Sequence, residues 1–148
     1  MPGINLKITT QGPVLTVFLL PSAPRLQAMM AAKVAVPPPV SGLFLIDTGA
    51  SHTVVDQGMV APLGLQPTGA TGVQTPSTNG VLHQCNMYDV QMIIPCGVLQ
   101  SPAFVLPAIP VIESNLAPQG IMGLIGRDIL QKCLLVYNGV TGDYSLSY

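Results

Sequence analysis

Residues 43–51 read LFLIDTGAS. Four large apolar residues, Leu43, Phe44, Leu45 and Ile46, run straight into one carboxylate, Asp47, and the chain then turns on Thr48, Gly49, Ala50 and Ser51. Such an aspartate either closes a strand as an ordinary turn former or is a charge set deliberately at the edge of a core. The first reading asks nothing of the rest of the chain. The second requires a partner for the carboxylate and a reason for the small residues beside it.

A length of 148 residues fits one domain with a real core, so a single domain over residues 1–148 is expected, with residues of about 22–41 as a surface insertion. Charged residues make up 7% of the chain and hydrophobic ones 49%, where about a quarter charged is usual. Five basic and six acidic residues leave a net charge of -1 with no Lys/Arg cluster, which argues against a nucleic-acid partner or a polybasic membrane patch. The longest strongly apolar run, Val14 to Leu20, stops at Pro21, far short of the roughly 20 residues that span a bilayer, so no transmembrane segment is expected. The start MPGINLKITT lacks the basic-then-apolar order of a secretory signal. A cytoplasmic location is therefore expected, for a whole protein or for a domain of a longer one. Cys85, Cys96 and Cys133 are odd in number and lack metal-ligand spacing, so small buried thiols, with no disulfide, metal or cofactor, are the expectation.

Short apolar segments broken by 15 Gly and 15 Pro, without sustained 3.6-residue periodicity, predict an all-β domain. INLKITT and PVLTVFLL read as an opening strand pair around the Gln11-Gly12 turn, SGLFLID as a third strand, and HTVVD as the next. Between them, Arg25 to Lys33 can form a short helix before Pro37, Pro38 and Pro39 impose an extended path. Asn79-Gly80 in TGVQTPSTNGVLHQCNMYDVQMII is a hairpin signal, because both residues tolerate the positive φ of a type I′ turn. FVLPAIPVI predicts a Pro-punctuated strand, Arg127 to about Lys132 the one regular helix near the core, and Asn138 to Asp143 a closing hairpin.

LIDTGAS, a projecting hairpin some thirty residues later, and LIGRDIL near the end occur in that order, and the chain resembles the retropepsin-like aspartic proteases, bacterial single-domain members included. The resemblance implies a closed, barrel-like β half with a flap hairpin and one short C-terminal helix, working as a symmetric homodimer on a peptide or protein substrate. It makes Asp47 the catalytic residue. Thr48 would bond across the dimer axis and Gly49 would offer its backbone to substrate, with Ala50 and Ser51 completing the loop. Thr75, Pro76, Ser77, Thr78, Asn79, Gly80 and Val81 would form the flap, although the tip lacks both the pepsin Tyr and the retroviral Gly-rich sequence. Leu124, Ile125 and Gly126 would pack beneath the active-site loop, with Arg127 and Asp128 starting the helix. In retroviral enzymes this Arg pairs with an Asp four positions after the catalytic one; that position is Ser51 here, so the pair is absent or rewired. The longer C-terminal hairpin also departs from retroviral termini, which interleave at the dimer interface.

Chemistry asks for these residue types independently. Hydrolysing an amide at mild pH needs an activated water and an acid for the carbonyl, and two close carboxylates sharing one proton supply both, as aspartic proteases are known to do. One Asp-Thr-Gly per chain supplies one carboxylate, and a two-fold homodimer supplies the second. Pepsin-like relatives carry a Ser or Thr donor where Ala50 stands, so a less acidic pH optimum than pepsin's is expected. Val54, Ile121, Leu124 and Ile125 would wall the subsites. His52 reads as a rim residue, His83 as flap arm or solvent, Asp56, Asp89 and Asp143 as turn or strand-edge acids, and Glu113 as loop. A catalytically silent peptide-binding or dimerisation module of the same fold, or a protease restricted to processing its own precursor, fits the same residues.

Overall fold

A computed structural model of the chain describes residues 1–74, 79–97 and 101–148. Strands form where β-branched and large apolar residues cluster between Gly and Pro: β1 (Gly3–Lys7), β2 (Val14–Pro21), β3 (Val40–Ile46), β4 (Val54–Asp56), β5 (Gly69–Val73), β6 (His83–Ile94), β7 (Phe104–Ser114), β8 (Gly123–Ile125), β9 (Leu134–Asn138) and β10 (Asp143–Ser147). Helices are short: α1 (Ala23–Ala31), α2 (Gln57–Val60) and α3 (Arg127–Leu130). Among the described residues, no helix is long and apolar enough to cross a membrane.

Six strands in the order β2-β3-β8-β4-β7-β6 close into a barrel through a further β2–β6 pairing, and β5 extends the sheet beyond β6. Strand alternation fills the barrel. Val17 and Leu19 of β2, and Val90, Met92 and Ile94 of β6, are fully buried at every second position. The two short strands beneath Asp47 are held by close contact. Phe44 lies against Gly123, where a Cβ would overlap its ring, and β8 runs parallel to β3 with Ile46 opposite Ile125.

β1 does not pair with β2. The Gln11-Gly12 turn closes only a Thr9–Gly12 bridge, after which β1 joins β10 and β10 joins β9 in a separate three-stranded sheet. Burial explains the choice: β2 has a single exposed residue, Thr16, whereas three of the five residues of β1 are exposed, a one-sided strand that suits an outer sheet. The sheets are joined where the buried Tyr144 hydroxyl donates to the Val14 carbonyl at 2.6 Å, and burial pushes this phenol up to about 12.

α1 buries none of its residues, as a surface excursion should. α3 is shorter than expected, ending at Leu130, and it is not alone at the core, because α2 buries Met59 and Val60. A four-residue helix is too short to show periodicity in sequence. Its N-cap is Asp56, which is 4% exposed rather than a solvated edge acid. One carboxylate oxygen accepts from Gly58 N at 2.7 Å, and the other from Leu116 N and Ala117 N at 2.7 Å each. Glu113 likewise belongs to β7, not to a loop, and accepts from Asn86 Nδ2 at 3.1 Å. Cys85, Cys96 and Cys133 are free thiols, but of the three only Cys96 is buried, Cys85 and Cys133 being half-buried.

Burial raises the Asp56 carboxyl, but the N–H donors of Gly58, Ala117 and Leu116 outweigh it and hold the group below 3.8. A depressed folded value means that the stabilisation is complete above the unfolded value and is lost as pH falls through the folded one. Stability followed by urea unfolding is therefore expected to decline below about pH 4. Asp56→Ala, which leaves three buried N–H groups without an acceptor, is expected to cost about 3 kcal/mol at neutral pH and to flatten that acid dependence.

Candidate active site

The turn at Asp47 is built from the barrel outward. Asp47 N donates to the Ile125 carbonyl at 3.0 Å, which continues the β3–β8 pairing by one bond past the strand end. The side chain then accepts from Gly49 N at 2.9 Å, and Ala50 N closes the turn on the Asp47 carbonyl at 3.2 Å. This is the short-range side-chain-to-backbone bonding that makes Asp a turn former. Yet the carboxylate also faces a cleft, so both readings of LFLIDTGAS hold together.

A second turn, Leu124 to Asp128, locks against the first. Gly126 passes so near residues 52 and 53 that a Cβ on it would stand 2.5 Å from the His52 carbonyl carbon and 2.9 Å from Thr53 N. Gly126 N donates to Thr53 Oγ1 at 3.1 Å, while Asp128 accepts from Thr53 N at 2.9 Å and Thr53 Oγ1 at 2.8 Å. Arg127 resolves the missing ion pair. Its backbone N–H bonds the Ala50 carbonyl at 2.9 Å, and its guanidinium donates to the carbonyls of Thr48 at 2.9 Å and Gly49 at 3.4 Å. A cation that elsewhere meets a carboxylate here satisfies the carbonyls of the turn itself.

The cleft in front of Asp47 encloses about 460 Å³. Gly49, Ala50, Ser51 and His52 form its floor and rim, Val54, Ile112 and Leu124 its apolar wall, and Thr71 to Gln74 of β5 and beyond its opposite side. Asp47 is the only acid among these lining residues. Thr48 is exposed and outside the lining. Ile121 and Ile125, expected as subsite walls, are instead buried at 5% and 0% exposure, because strand alternation turns Ile125 inward when it turns Leu124 to the cleft. Ile112 was not singled out from sequence, where FVLPAIPVI gives no sign of which face meets the cleft; it is placed there by pairing opposite Val54.

Within the expected flap, Thr75, Pro76, Ser77 and Thr78 lie outside the described residues. Asn79 and Gly80 have φ of 49° and 79°, the positive values the Asn-Gly signal calls for, and Val81 and Leu82 are 68% and 61% exposed. β5 and β6 pair up to Val73 opposite His83. His83 lines a different, smaller concavity with Cys85 and Glu113, away from Asp47. Among the described residues, no group of three or more His, Cys, Asp or Glu could hold a metal ion.

The family model described as "Aspartyl protease" matches residues 39–129, from the start of β3 to α3. Among solved structures, the chain is similar to the crystal structure of a retropepsin-like aspartic protease from Rickettsia conorii, with a TM-score of 0.60 over 99% of this chain and 90% of that one at 13% identity. At that identity the likeness is one of fold. No curated protein matches the sequence.

The Gly126 approach gives a direct check. Gly126→Ala is expected to lower stability by at least about 2 kcal/mol, because the obstructing atoms are backbone, whereas Gly139→Ala, which meets only ordinary contact at 3.6 Å, should stay within about 0.5 kcal/mol of the parent in thermal or urea unfolding.

Proposed function

The chain belongs to the aspartyl protease family and is a peptidase, and we propose from that premise that it is an endopeptidase whose dyad is Asp47 of two copies related by a two-fold axis. One observation carries this reading: a core strand delivers Asp47 to an apolar-walled cleft in which it is the only acid among the described lining residues, so one copy supplies half of the required pair. Two carboxylates brought together on an axis cannot both ionise readily, and they retain one proton between them. The ionised member takes a proton from water as it attacks the scissile carbonyl carbon. The protonated member donates to the carbonyl oxygen, and the resulting tetrahedral intermediate collapses when the amine leaves with a proton.

The surrounding residues then take definite parts. Gly49 N is committed to Asp47 Oδ1, which orients the carboxylate, so any backbone contact from Gly49 to substrate falls to its carbonyl. Thr48, exposed and with its carbonyl held by Arg127, is the residue of the turn free to meet its counterpart across the axis. An extended peptide lies along β5 as an added strand, with its side chains against Val54, Ile112 and Leu124. These walls select apolar residues beside the scissile bond.

The test is cleavage of a diverse peptide mixture from about pH 3 to pH 7, the span over which a carboxylate pair changes protonation. Asp47→Asn is expected to abolish cleavage without loss of folding, and apolar residues should dominate the sites cut; an equally active mutant, or a profile led by Lys or Asp, would refute the assignment. Specific activity is expected to rise with protein concentration until dimers saturate.

Ala50 supplies a separate expectation. It lines the cleft without a hydroxyl, so the optimum should be less acidic than pepsin's, and Ala50→Ser, which adds a donor able to stabilise an ionised carboxylate, should move the acid limb of the pH–rate profile to lower pH. A wild-type profile peaking at or below about pH 3 would contradict this.

A further inference from the structure

Behind the cleft wall lies a second concavity, of about 230 Å³. Successive residues of a strand point to opposite faces, and the end of β7 divides in this way: Ile112 bounds the cleft, and the next residue, Glu113, lines the concavity. β6 adds Gln84, Cys85 and Asn86 from the arm that leads back from the Asn79-Gly80 turn, and the barrel end adds Gln57 of α2 and Asn115. The space is smaller than the about 300–1,000 Å³ that hold a whole small-molecule ligand, and is of a size for one side chain.

The charge of the concavity has one sign. Glu113 is the only acid among the described lining residues, no Lys or Arg joins it there, and the one ion pair among the described residues is Lys7 with Asp143. The neighbours of Glu113 feel its charge: after burial, it is what pushes the Cys85 thiol and the Tyr88 phenol up. Asn86 Nδ2 donates to Glu113 Oε2 at 3.1 Å, and Oε1 accepts from no described group. A half-buried carboxylate with one amide donor and no cation is stabilised by a cation that arrives from outside. The side-chain carbonyls of Gln57, Gln84 and Asn115 are further acceptors in the same lining. Several acceptors around one carboxylate suit the five N–H donors of a guanidinium, set in a planar fork, better than the point charge of an ammonium.

We infer that this concavity holds the guanidinium of an arginine that a protein substrate carries outside the segment lying in the cleft. The substrate role rests on the peptidase reading; the arginine site does not. An arginine held between β6 and the end of β7 ties the hairpin arm to the barrel while the scissile segment lies along β5. One exposed contact of this kind is weak alone, and a flexible tether that joins it to a second bound segment multiplies its effect.

The site is read first without cleavage. N-acetyl-arginine amide titrated into Asp47→Asn protein at neutral pH should shift the backbone amide resonances of residues 83–86 and 113–115 saturably, with a dissociation constant of the order of 1 mM. N-acetyl-citrulline amide, nearly the same shape without the charge, should bind at least about fivefold more weakly, and so should the arginine amide to protein that also carries Glu113→Gln, which keeps an acceptor for Asn86. Gln84→Ala, at an exposed position, is a second variant and should weaken binding about twofold. Cleavage then compares two peptides that share a scissile segment and carry either arginine or citrulline beyond a flexible Gly-Ser spacer. The arginine peptide should show a KM at least about threefold lower at unchanged kcat, and the difference should vanish in Glu113→Gln, which cuts the citrulline peptide as the wild type does. Shifts that do not saturate, or that citrulline or the Glu113 variant reproduces in full, overturn the site. An equal KM for the two peptides at every spacer length overturns the substrate role. If arginine binds and neither peptide is cut, the peptidase reading falls and the substrate role with it, while the arginine site stands.

Discussion

The close approach of Gly126 to the His52–Thr53 backbone is the constraint on which the rest of the site depends. Because the 126 position has no side chain, two turns from distant parts of the chain come within hydrogen-bonding distance of each other. Thr53 then serves as the hub, donating its N–H and hydroxyl to Asp128 while its hydroxyl oxygen accepts from Gly126 N. With that junction formed, Arg127 is placed where its backbone and guanidinium reach three successive carbonyls of the Asp47 turn. The carboxylate itself receives one short-range bond; its position is fixed by everything that holds the turn.

This division suits a chain with so little charge. With 7% charged residues, ion pairs cannot organise the fold, and the one described, Lys7 with Asp143, has side chains 79% and 43% exposed, where such pairs add little. Order comes instead from apolar alternation in the barrel and from a few polar side chains spent on backbone groups. Asp56 satisfies three N–H groups, Arg127 two carbonyls, and Tyr144 one carbonyl that joins the small sheet to the barrel. Each ties together segments that the hydrophobic pattern alone would leave free to slide.

What could be read from sequence follows the range of the interactions concerned. LFLIDTGAS was legible because a strand followed at once by a turn former is a local pattern, and LIGRDIL because its order relative to the first motif is distinctive. The Asn138–Asp143 hairpin and the strand over FVLPAIPVI were legible for the same reason. Pairing choices were not: INLKITT and PVLTVFLL look like neighbours because they are adjacent in the chain, yet β1 takes a partner more than a hundred residues away. Nothing local marks Asp56 as buried either, since its acceptor role depends on residues 116 and 117, distant in sequence, arriving beside it at the end of β7. Inward and outward faces of β8 were confused because a three-residue strand offers one alternation and no second repeat to check it.

The exchange of a carboxylate partner for carbonyls at Arg127 alters how the site responds to acid. An Arg–Asp pair weakens once the carboxylate is protonated, whereas a backbone carbonyl does not titrate and continues to accept from a guanidinium that is always charged. With Ser51 where an aspartate would stand, the bonds from Arg127 to the Asp47 turn involve only a guanidinium, an amide and carbonyls, none of which changes charge between about pH 3 and pH 7. Carboxylates are left to hold backbone elsewhere, Asp128 at the Thr53 junction and Asp56 at α2, whose ionised form is the one its three N–H donors favour. As the solution is acidified, the bonds from Arg127 persist, and the junction of α2 with residues 116 and 117 lasts for as long as Asp56 stays ionised, which its N–H donors extend to lower pH.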